Sequence, residues 1–249
     1  MIRALALALQ LLTRLPIPRI GSPPCPEDLG RSVLFFPVVG LLIGALLAGL
    51  QAGLWWVDPG VLAALLLVAW VTLTGGLHLD GLADTADAWI GGQGDRERTL
   101  AIMKDPHSGP IAIVAVVLLL LLKFAALQAL LAGDAGFVLL LTPMLGRAIL
   151  VALLLTTPYI RPDGLGAPYA RTLPPWSCGA LIVLAAAVTL ALLEWQGGLV
   201  LGALSLGLFG LRHALLMRLG GITGDTLGAA CELAEAVVLL TAALSWPAP

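Results

Sequence analysis

Charged residues are scarce in this sequence. Aspartate, glutamate, lysine and arginine make up 11% of its 249 residues, whereas an ordinary soluble domain carries about 25%. Hydrophobic residues make up 59%. Because so few charges cannot cover a water-exposed surface, the composition excludes a soluble globular protein and predicts an integral membrane protein.

A basic excess and a cysteine pattern are also missing. Lysine and arginine number 13 against 15 aspartates and glutamates, a balance that excludes a basic nucleic-acid-binding protein. The three cysteines, Cys25, Cys178 and Cys231, have no close spacing, so the sequence indicates neither a disulfide framework nor a zinc knuckle. We therefore expect the lipid bilayer as a partner and no nucleic acid.

Long apolar runs are abundant. A helix needs roughly 20 apolar residues to cross a bilayer, and seven runs approach that length. We predict an all-α, polytopic helical membrane protein with about seven transmembrane helices in a single domain over residues 1–249. The segment Met1 to Leu15 is apolar but short and lacks a cleavage site, so we expect an N-terminal interfacial helix. The predicted spans are 34–57, 60–77, 110–132, 136–157, 177–195, 198–217 and 228–246.

Basic residues indicate the topology. If the seven spans alternate in direction, ten of the 13 basic residues fall on one side, and the loops of the other side contain none. Because lysine and arginine mark the cytoplasmic side, we expect a cytoplasmic N-terminus and long cytoplasmic loops in the cell inner membrane. The ten are Arg3, Arg14, Arg19, Arg31, Arg96, Arg98, Lys104, Arg161, Arg171 and Arg218.

Three aspartates form the densest acidic cluster. Asp80, Asp84 and Asp87 are spaced i, i+4 and i+7, which places them within an arc of roughly 60° on one helix face. Three like charges on one face repel one another unless a cation lies among them. Carboxylate oxygens are ligands that Mg²⁺ prefers, together with water and substrate phosphates. The cluster therefore predicts a magnesium site, with a solvated helix end as the alternative.

A second acidic stripe lies near the C-terminus. Asp225, Glu232 and Glu235 share one helix face if a helix begins near Thr223. This stripe enters the bilayer from the same predicted side as the three aspartates, so both stripes could form one cation site. The alternative is a structural network in which the glutamates pair with Arg147 or Arg212.

Other polar residues suggest contacts with phosphate. The loop before the 110–132 span contains Lys104, Asp105 and His107, which suit phosphate binding or proton transfer. Arg147 lies midway along its span, so it needs an anionic partner, either an acid or a substrate phosphate. Lys123 is expected to extend to the outer interface, without a functional role. Acids, a metal and a phosphate-binding loop at one membrane surface indicate phosphoryl or nucleotidyl transfer.

At these motifs the chain resembles the cobalamin synthase family, the adenosylcobinamide-GDP ribazoletransferases. The matching segments run from one end of the chain to the other. They are Leu12-Thr13-Arg14-Leu15-Pro16 with Pro18, Phe36-Pro37-Val38-Val39-Gly40 with Gly44, the segment from Gly75 to Ala88, Lys104-Asp105-Pro106-His107 with Gly109, Gly146-Arg147, and the segment from Gly221 to Glu235.

The resemblance implies a Mg²⁺-dependent enzyme of the last stages of cobalamin assembly, with its active site on the cytoplasmic side. A hydroxyl of α-ribazole, or of α-ribazole 5′-phosphate, would attack the corrinoid-side phosphorus of adenosylcobinamide-GDP and release GMP. The implied metal ligands are Asp80, Asp84, Asp87, Asp225 and Glu232. The implied catalytic residues are Asp225, Glu232, Glu235 and His107, and the implied substrate-binding residues are His78, Lys104, Asp105 and Arg147.

Two other functions stay open at this point. The spaced aspartates are also similar to those of CDP-alcohol phosphotransferases, although that family has Ala-Arg after its Asp-Gly and this chain has Leu82-Ala83. A cation-coupled transporter would also place acids and a buried arginine in a membrane. In a transporter we would expect acids near the midplane of the membrane and two halves of the chain that repeat each other. Neither feature is present in the sequence. Homo-oligomerisation is left open.

Overall fold

The structure, a computed structural model, describes residues 1–18 and 23–246. Arg19, one of the ten basic residues above, lies outside them. The described residues form eleven α-helices and no β-strand, which confirms the all-α prediction. The helices are α1 (Ile2–Leu12), α2 (Pro26–Ser32), α3 (Phe36–Gly53), α4 (Pro59–Thr74), α5 (Leu77–Gly91), α6 (Arg96–Ile102), α7 (Pro110–Ala132), α8 (Val138–Thr156), α9 (Ala167–Thr172), α10 (Pro175–Leu219) and α11 (Gly224–Ser245).

Several of these helices can cross a membrane. Five helical segments of the described chain are long and apolar enough, and α4 adds a sixth if it is taken together with α5 as one bent span. The five are the continuous segment Pro26–Gly53, which joins α2 to α3, and the helices α7, α8, α10 and α11. The chain is therefore a multi-pass membrane protein, as predicted.

Helix α10 consists of two antiparallel halves. Helical geometry breaks at Glu194, where φ is 51°, and a Cβ on Gly197 would lie 2.7 Å from the carbonyl oxygen of Thr189. Residues eight apart in an unbroken helix are separated by about 12 Å along its axis, so the chain must double back at the break. Tyr159 before α10 and Ile222 after it form a parallel β-bridge, so both ends of α10 lie at one end of the bundle. This hairpin corresponds to the two spans predicted in this region.

A sharp bend separates α4 from α5. Asp58 caps the start of α4 by accepting a 2.8 Å hydrogen bond from the amide of Gly60. Gly75 and Gly76 end the helix with φ of 65° and 70°, in the left-handed region that glycine adopts without strain. The chain then turns by 89° into α5. Helix α5 therefore runs across the direction of α4 instead of extending it, and the spanning part of the pair is α4.

The core of the bundle is centred on α8. Most of this helix is buried, and it packs closely against α3 through small residues. A Cβ on Gly40 would lie 2.3 Å from the carbonyl oxygen of Pro143, and one on Gly44 would lie 2.4 Å from that of Leu140. Glycines four residues apart allow this close contact of helix backbones inside a membrane. Helix α7 instead exposes apolar side chains such as Ile113 and Leu121, which suits a surface against lipid.

The loops predicted to share one side meet at one end of the bundle. The amide of Arg14, after α1, donates to the carbonyl oxygen of Leu73 at the end of α4. Arg218, at the end of α10, donates to the carbonyl oxygen of Trp89 on α5. Thr172 of α9 donates to the carbonyl oxygen of Pro26 at the start of α2. The predicted grouping of these segments is confirmed, while their cytoplasmic orientation stays a prediction.

This topology can be tested by labelling cysteines in membrane vesicles of known orientation. In a Cys25→Ser background, Glu97→Cys lies at the end of the bundle where these loops meet, whereas Trp55→Cys and Trp195→Cys lie at the opposite end. All three side chains are exposed. We expect an impermeant maleimide to label Glu97→Cys from one side and the other two from the opposite side. Labelling of Trp195→Cys from the Glu97 side, or protection of it on both sides, would contradict the hairpin in α10.

Candidate active site

Helices α5 and α11 bring the two acidic stripes together. They touch at two glycines: a Cβ on Gly81 would lie 2.7 Å from the carbonyl oxygen of Asp225, and one on Gly228 would lie 3.1 Å from that of His78. No larger side chain fits at this contact without moving a backbone. The contact sets the aspartates of α5 beside the first turn of α11.

The acids at this contact form a group with a high density of negative charge. Burial, and then the carboxylates of Asp80 and Asp225, raise the pKa of Asp84 to about 6. Asp80 and Asp225 also line a cavity of about 250 Å³ that lies beside the group. A half-buried carboxylate with two acidic neighbours favours binding of a cation, because the cation removes the repulsion among them.

Arg161 is a further cation in this region, and the sequence motifs did not indicate it as a site residue. It follows the β-bridge after α8, and its Nη1 donates a 2.9 Å hydrogen bond to Oδ2 of Asp225. In the sequence Arg161 contributes only to the predicted topology, because no motif marks it as a site residue. Its role depends on the bridge between Tyr159 and Ile222, which brings two segments that are distant in sequence to the same place.

Asp87 has a different environment from the other two aspartates of its stripe. Its carboxylate accepts hydrogen bonds from the backbone amides of Gly109 and Ala112, and the latter is 2.8 Å long. These amides lie at the N-terminus of α7, where the helix dipole favours a negative charge. In this structure Asp87 therefore caps α7 and connects α5 to it.

The two glutamates of α11 lie in a buried ionic network. Nζ of Lys123 lies 2.5 Å from Oε2 of Glu232 and 2.6 Å from Oε2 of Glu235. Arg147 also pairs with Glu235, and its other terminal nitrogen lies 3.5 Å from Nδ1 of His78. All five side chains are buried. The network connects helices α7, α8 and α11 and reaches α5 through His78.

The acidic stripe of α11 therefore divides into two sites. The helix begins just after Thr223, the start that a shared acidic face requires, and Thr223 caps it, but Glu232 lies seven residues beyond Asp225, about 10 Å along the axis. For Glu235, the structure shows the paired network that the sequence left as an alternative, with Arg147 as a partner. Arg212 instead donates to the carbonyl oxygen of Thr156.

The prediction for Lys123 is wrong. Lys123 does not extend to the interface, because its exposed fraction is 2% and its ammonium group lies between two carboxylates. The ammonium also lies 4.8 Å from the centre of the Trp70 ring on α4. An unpaired ammonium is costly inside a membrane, so a lysine within a span could have signalled a buried acidic partner. The sequence does not show which acid that partner is.

The loop with Lys104, Asp105 and His107 is exposed at the same end of the bundle. Nδ1 of His107 lies 2.7 Å from Oδ1 of Asp105, and the hydrogen bond between these two side chains lowers the pKa of Asp105. The loop is tied to the start of α11, where Thr223 donates to the sulfur of Met103. It therefore lies near the acids, but no hydrogen bond among the described residues connects its side chains to them.

The acidic group fits Mg²⁺ by its chemistry. In the described part of the chain, no three histidine, cysteine, aspartate or glutamate side chains converge tightly enough to coordinate a metal without moving. Mg²⁺ does not need such a cage, since one or two carboxylates, water and substrate phosphates usually complete its octahedral shell. The carboxylates of Asp80 and Asp225 offer hard oxygen ligands at the edge of the cavity, and Asp84 lies close enough to both for their charges to raise its pKa.

The fold and the site define a polytopic membrane protein with an acidic site at one end of its bundle. The chain belongs to the cobalamin-5-phosphate synthase family, because residues 4–243 match the profile of that family. It is 54% identical over 239 residues to a protein of Pseudomonas syringae pv. syringae (strain B728a), and 55% identical over 249 residues to one of Pseudomonas aeruginosa (strain UCBPP-PA14).

These relatives match the chain over nearly their whole length. The P. syringae alignment covers 96% of this chain and 98% of the relative, and the P. aeruginosa alignment covers 98% of each. Both relatives are named adenosylcobinamide-GDP ribazoletransferase. The comparison with solved structures found no significant match.

The ionic network predicts a large loss of stability when Lys123 is removed. In Lys123→Met, Glu232 and Glu235 stay buried with less positive charge beside them, which should lower the free energy of unfolding by about 3–5 kcal/mol. Thermal unfolding in detergent measures this effect. The chain's other lysine supplies the control, since exposed Lys104→Met should unfold like the wild type. Adding Glu232→Gln to Lys123→Met should recover part of the loss, and a single variant as stable as the wild type would contradict the network.

Proposed function

We propose that this protein is an adenosylcobinamide-GDP ribazoletransferase. In the reaction, a hydroxyl of α-ribazole, or of its 5′-phosphate, attacks the corrinoid-side phosphorus of adenosylcobinamide-GDP. A new phosphorus–oxygen bond forms, the bond to the GMP phosphate breaks, and adenosylcobalamin or its 5′-phosphate results. The observation that carries the proposal is the match to relatives of this name along nearly the whole chain. The acidic group beside a cavity supports it, because the substrate is a diphosphate.

The proposed cofactor is Mg²⁺, which Asp80, Asp84 and Asp225 would hold. When bound, Mg²⁺ would neutralise the charge on the diphosphate and on the leaving phosphate. Asp87 and Glu232, which were predicted as further ligands, have other partners in this structure. We assign Asp87 to the connection with α7, and Glu232 and Glu235 to holding α11 in place.

The residues of the chain would have three tasks in this reaction. Asp225 faces the cavity and would accept the proton of the attacking hydroxyl once its carboxylate is released from Arg161. Lys104 and His107 lie on an exposed loop at the same end and would contact the diphosphate as it enters. The apolar outer surface of the bundle would keep the enzyme in the bilayer while this end faces the cytoplasm of the cell.

The two other functions are less well supported. Membership of the cobalamin-5-phosphate synthase family does not favour a CDP-alcohol phosphotransferase. A cation-coupled transporter would need charged groups that are free to bind and release an ion inside the bundle. The buried glutamates are instead held in short ion pairs with Lys123 and Arg147.

Release of GMP tests the proposed function. Purified protein in liposomes, supplied with adenosylcobinamide-GDP, α-ribazole 5′-phosphate and Mg²⁺, should release GMP. Asp84→Asn should lower kcat roughly 100-fold or more, because it removes a charged ligand from the acidic group. Asp163→Asn, which changes an exposed acid of a loop at the same end, is the matched control and should keep its activity. The absence of GMP release by the wild type at any Mg²⁺ concentration would contradict the function.

The raised pKa of Asp84 predicts how Mg²⁺ dependence changes with pH. A carboxyl group with a pKa of about 6 is mostly ionised at pH 7 and mostly protonated at pH 5, and protons compete with the metal for it. The Mg²⁺ concentration that gives half-maximal activity should therefore rise about tenfold from pH 7 to pH 5. Titration of activity with Mg²⁺ at each pH measures this change. A constant value would show that Asp84 is not a ligand.

A further inference from the structure

His78 lies between the buried ionic network and the cavity of the acidic site. Its backbone packs against α11, where a Cβ on Gly228 would lie 3.1 Å from the carbonyl oxygen of His78. The side chain is buried, yet it lines the cavity together with Asp80 of the same helix. On the side of the network, its Nδ1 lies 3.5 Å from Nη2 of Arg147. One edge of the imidazole ring therefore meets the network, and the ring also borders the cavity.

The contact with Arg147 determines which ring nitrogen of His78 carries the proton. A guanidinium group donates hydrogen bonds and accepts none, so Nδ1 has to accept, and the ring proton then lies on Nε2. A proton on Nδ1 would set two donors against each other in a buried place, which is unfavourable. The contact therefore selects the neutral tautomer with an N–H group at Nε2.

Nε2 of His78 is available to a ligand in the cavity. The contact at Nδ1 is the one hydrogen-bonding contact of this ring among the described residues, and Nε2 is not a fully enclosed atom. Its N–H group is a neutral hydrogen-bond donor close to a group of carboxylates. Fixed donors of this kind stabilise oxygens on which negative charge develops, most strongly where water is excluded.

Arg147 is itself held in place by Glu235. Its Nη1 pairs with Oε1 of Glu235, which can lie this close because residue 146 is a glycine: a Cβ on Gly146 would lie 2.8 Å from Cγ of Glu235. The forked guanidinium group thus spans Glu235 on one side and His78 on the other. The ammonium of a lysine is a point charge without this fork, so it would not reproduce both contacts.

We infer that His78 donates a hydrogen bond from Nε2 to the diphosphate of adenosylcobinamide-GDP, and that Arg147 is the positioning residue that holds His78 in the required tautomer. The ligand group is a phosphate oxygen that the metal does not hold. Arg147 then acts through His78 and does not touch the substrate, whereas the resemblance implied a substrate contact for it. This inference rests on the proposed function.

The hydrogen bond from His78 moves no proton in the reaction. As the ribazole oxygen bonds to phosphorus and the bond to the GMP phosphate breaks, negative charge shifts among the phosphate oxygens. The Nε2 proton stays on the ring and stabilises this charge. The ion pair of Glu235 with Arg147 therefore serves the reaction as well as the fold, because it keeps the imidazole ring in one orientation.

The tautomer of His78 can be measured without turnover. Solid-state nitrogen NMR of the full-length protein in liposomes, with isotope-labelled histidine and no Mg²⁺, distinguishes a protonated ring nitrogen from a bare one. His107→Gln and His213→Gln remove the other two histidines from the spectrum. His78 should then show one neutral form with its proton on Nε2. Arg147→Lys should add a second form with the proton on Nδ1, because Nδ1 loses its partner.

Arg212→Lys is the matched control, since Arg212 donates to a carbonyl oxygen of α8 and has no contact with His78. This variant should leave the His78 spectrum unchanged. A proton on Nδ1 in the wild type, or a spectrum that Arg147→Lys does not alter, would overturn the role of Arg147.

Two amide substitutions separate the two nitrogens of His78 in the GMP-release assay. Asparagine places its amide near the position of Nδ1 and keeps only the contact with Arg147, whereas glutamine places an N–H group near the position of Nε2. His78→Asn should lower kcat roughly 100-fold, as the loss of one fixed donor does, while KM for adenosylcobinamide-GDP stays within about threefold. His78→Gln should recover about tenfold of that loss.

These variants can also contradict the inference. If His78→Asn is as active as His78→Gln, the ring serves only its contact with Arg147. A rise in KM for the ribazole substrate with an unchanged kcat would place that substrate at His78 instead of the diphosphate. Absence of GMP release by the wild type would contradict the proposed function, whereas the NMR result for Arg147 does not depend on turnover, so the two failures can be distinguished.

Discussion

The position of Lys123 between Glu232 and Glu235 is the interaction on which the rest of the structure depends. Charges this deep in an apolar bundle are stable only when they are paired, and Arg147 completes the pairing on the side of α8. The network fixes the rotation of α11 relative to α7 and α8, because any other rotation would leave a charge among apolar side chains. It thereby also fixes which face of α11 meets α5.

The site at the end of the bundle follows from this orientation. Because the ionic network fixes the rotation of α11, Gly228 faces Gly81. The backbones of α5 and α11 then approach closely enough to bring Asp84 near Asp225. One helix therefore carries two kinds of acid. Glu232 and Glu235 are neutralised inside the bundle and hold it together, whereas Asp225 lies at the edge of a cavity and is available for chemistry. Arg161 and the first turn of α7 compensate part of the remaining negative charge at this end.

Much of this arrangement could be predicted from local sequence patterns. Hydropathy located the spans, including the two halves of α10, and the spacing of Asp80, Asp84 and Asp87 predicted the helix α5. The shared face of Asp225, Glu232 and Glu235 required a helix that begins near Thr223, and α11 begins there. These features depend on residues that are close in the sequence, where helix periodicity and capping preferences act.

The partners of the acids could not be predicted in the same way. Lys123 and Glu232 are more than one hundred residues apart, and only the packing of α7 against α11 brings them together. Arg161 reaches Asp225 because of a single β-bridge between two connecting segments. The 89° turn after α4 directs α5 across the bundle, and this turn places Asp87 at the N-terminus of α7. Each of these contacts is a tertiary contact between distant segments. The pattern of acids along one helix therefore does not show which acids are paired in the fold and which are available to bind a ligand.

We infer that the acids of α11 have separate tasks, with the metal bound at the end of the bundle and the ion pairs inside it. Crystals of the protein grown with Mn²⁺ in place of Mg²⁺ and with a non-reactive analogue of adenosylcobinamide-GDP would locate the metal by anomalous diffraction. The account predicts one or more Mn²⁺ ions bound by Asp80, Asp84 or Asp225, with Lys123 still between Glu232 and Glu235. A metal bound by Glu232 or Glu235, with Lys123 displaced from them, would contradict it.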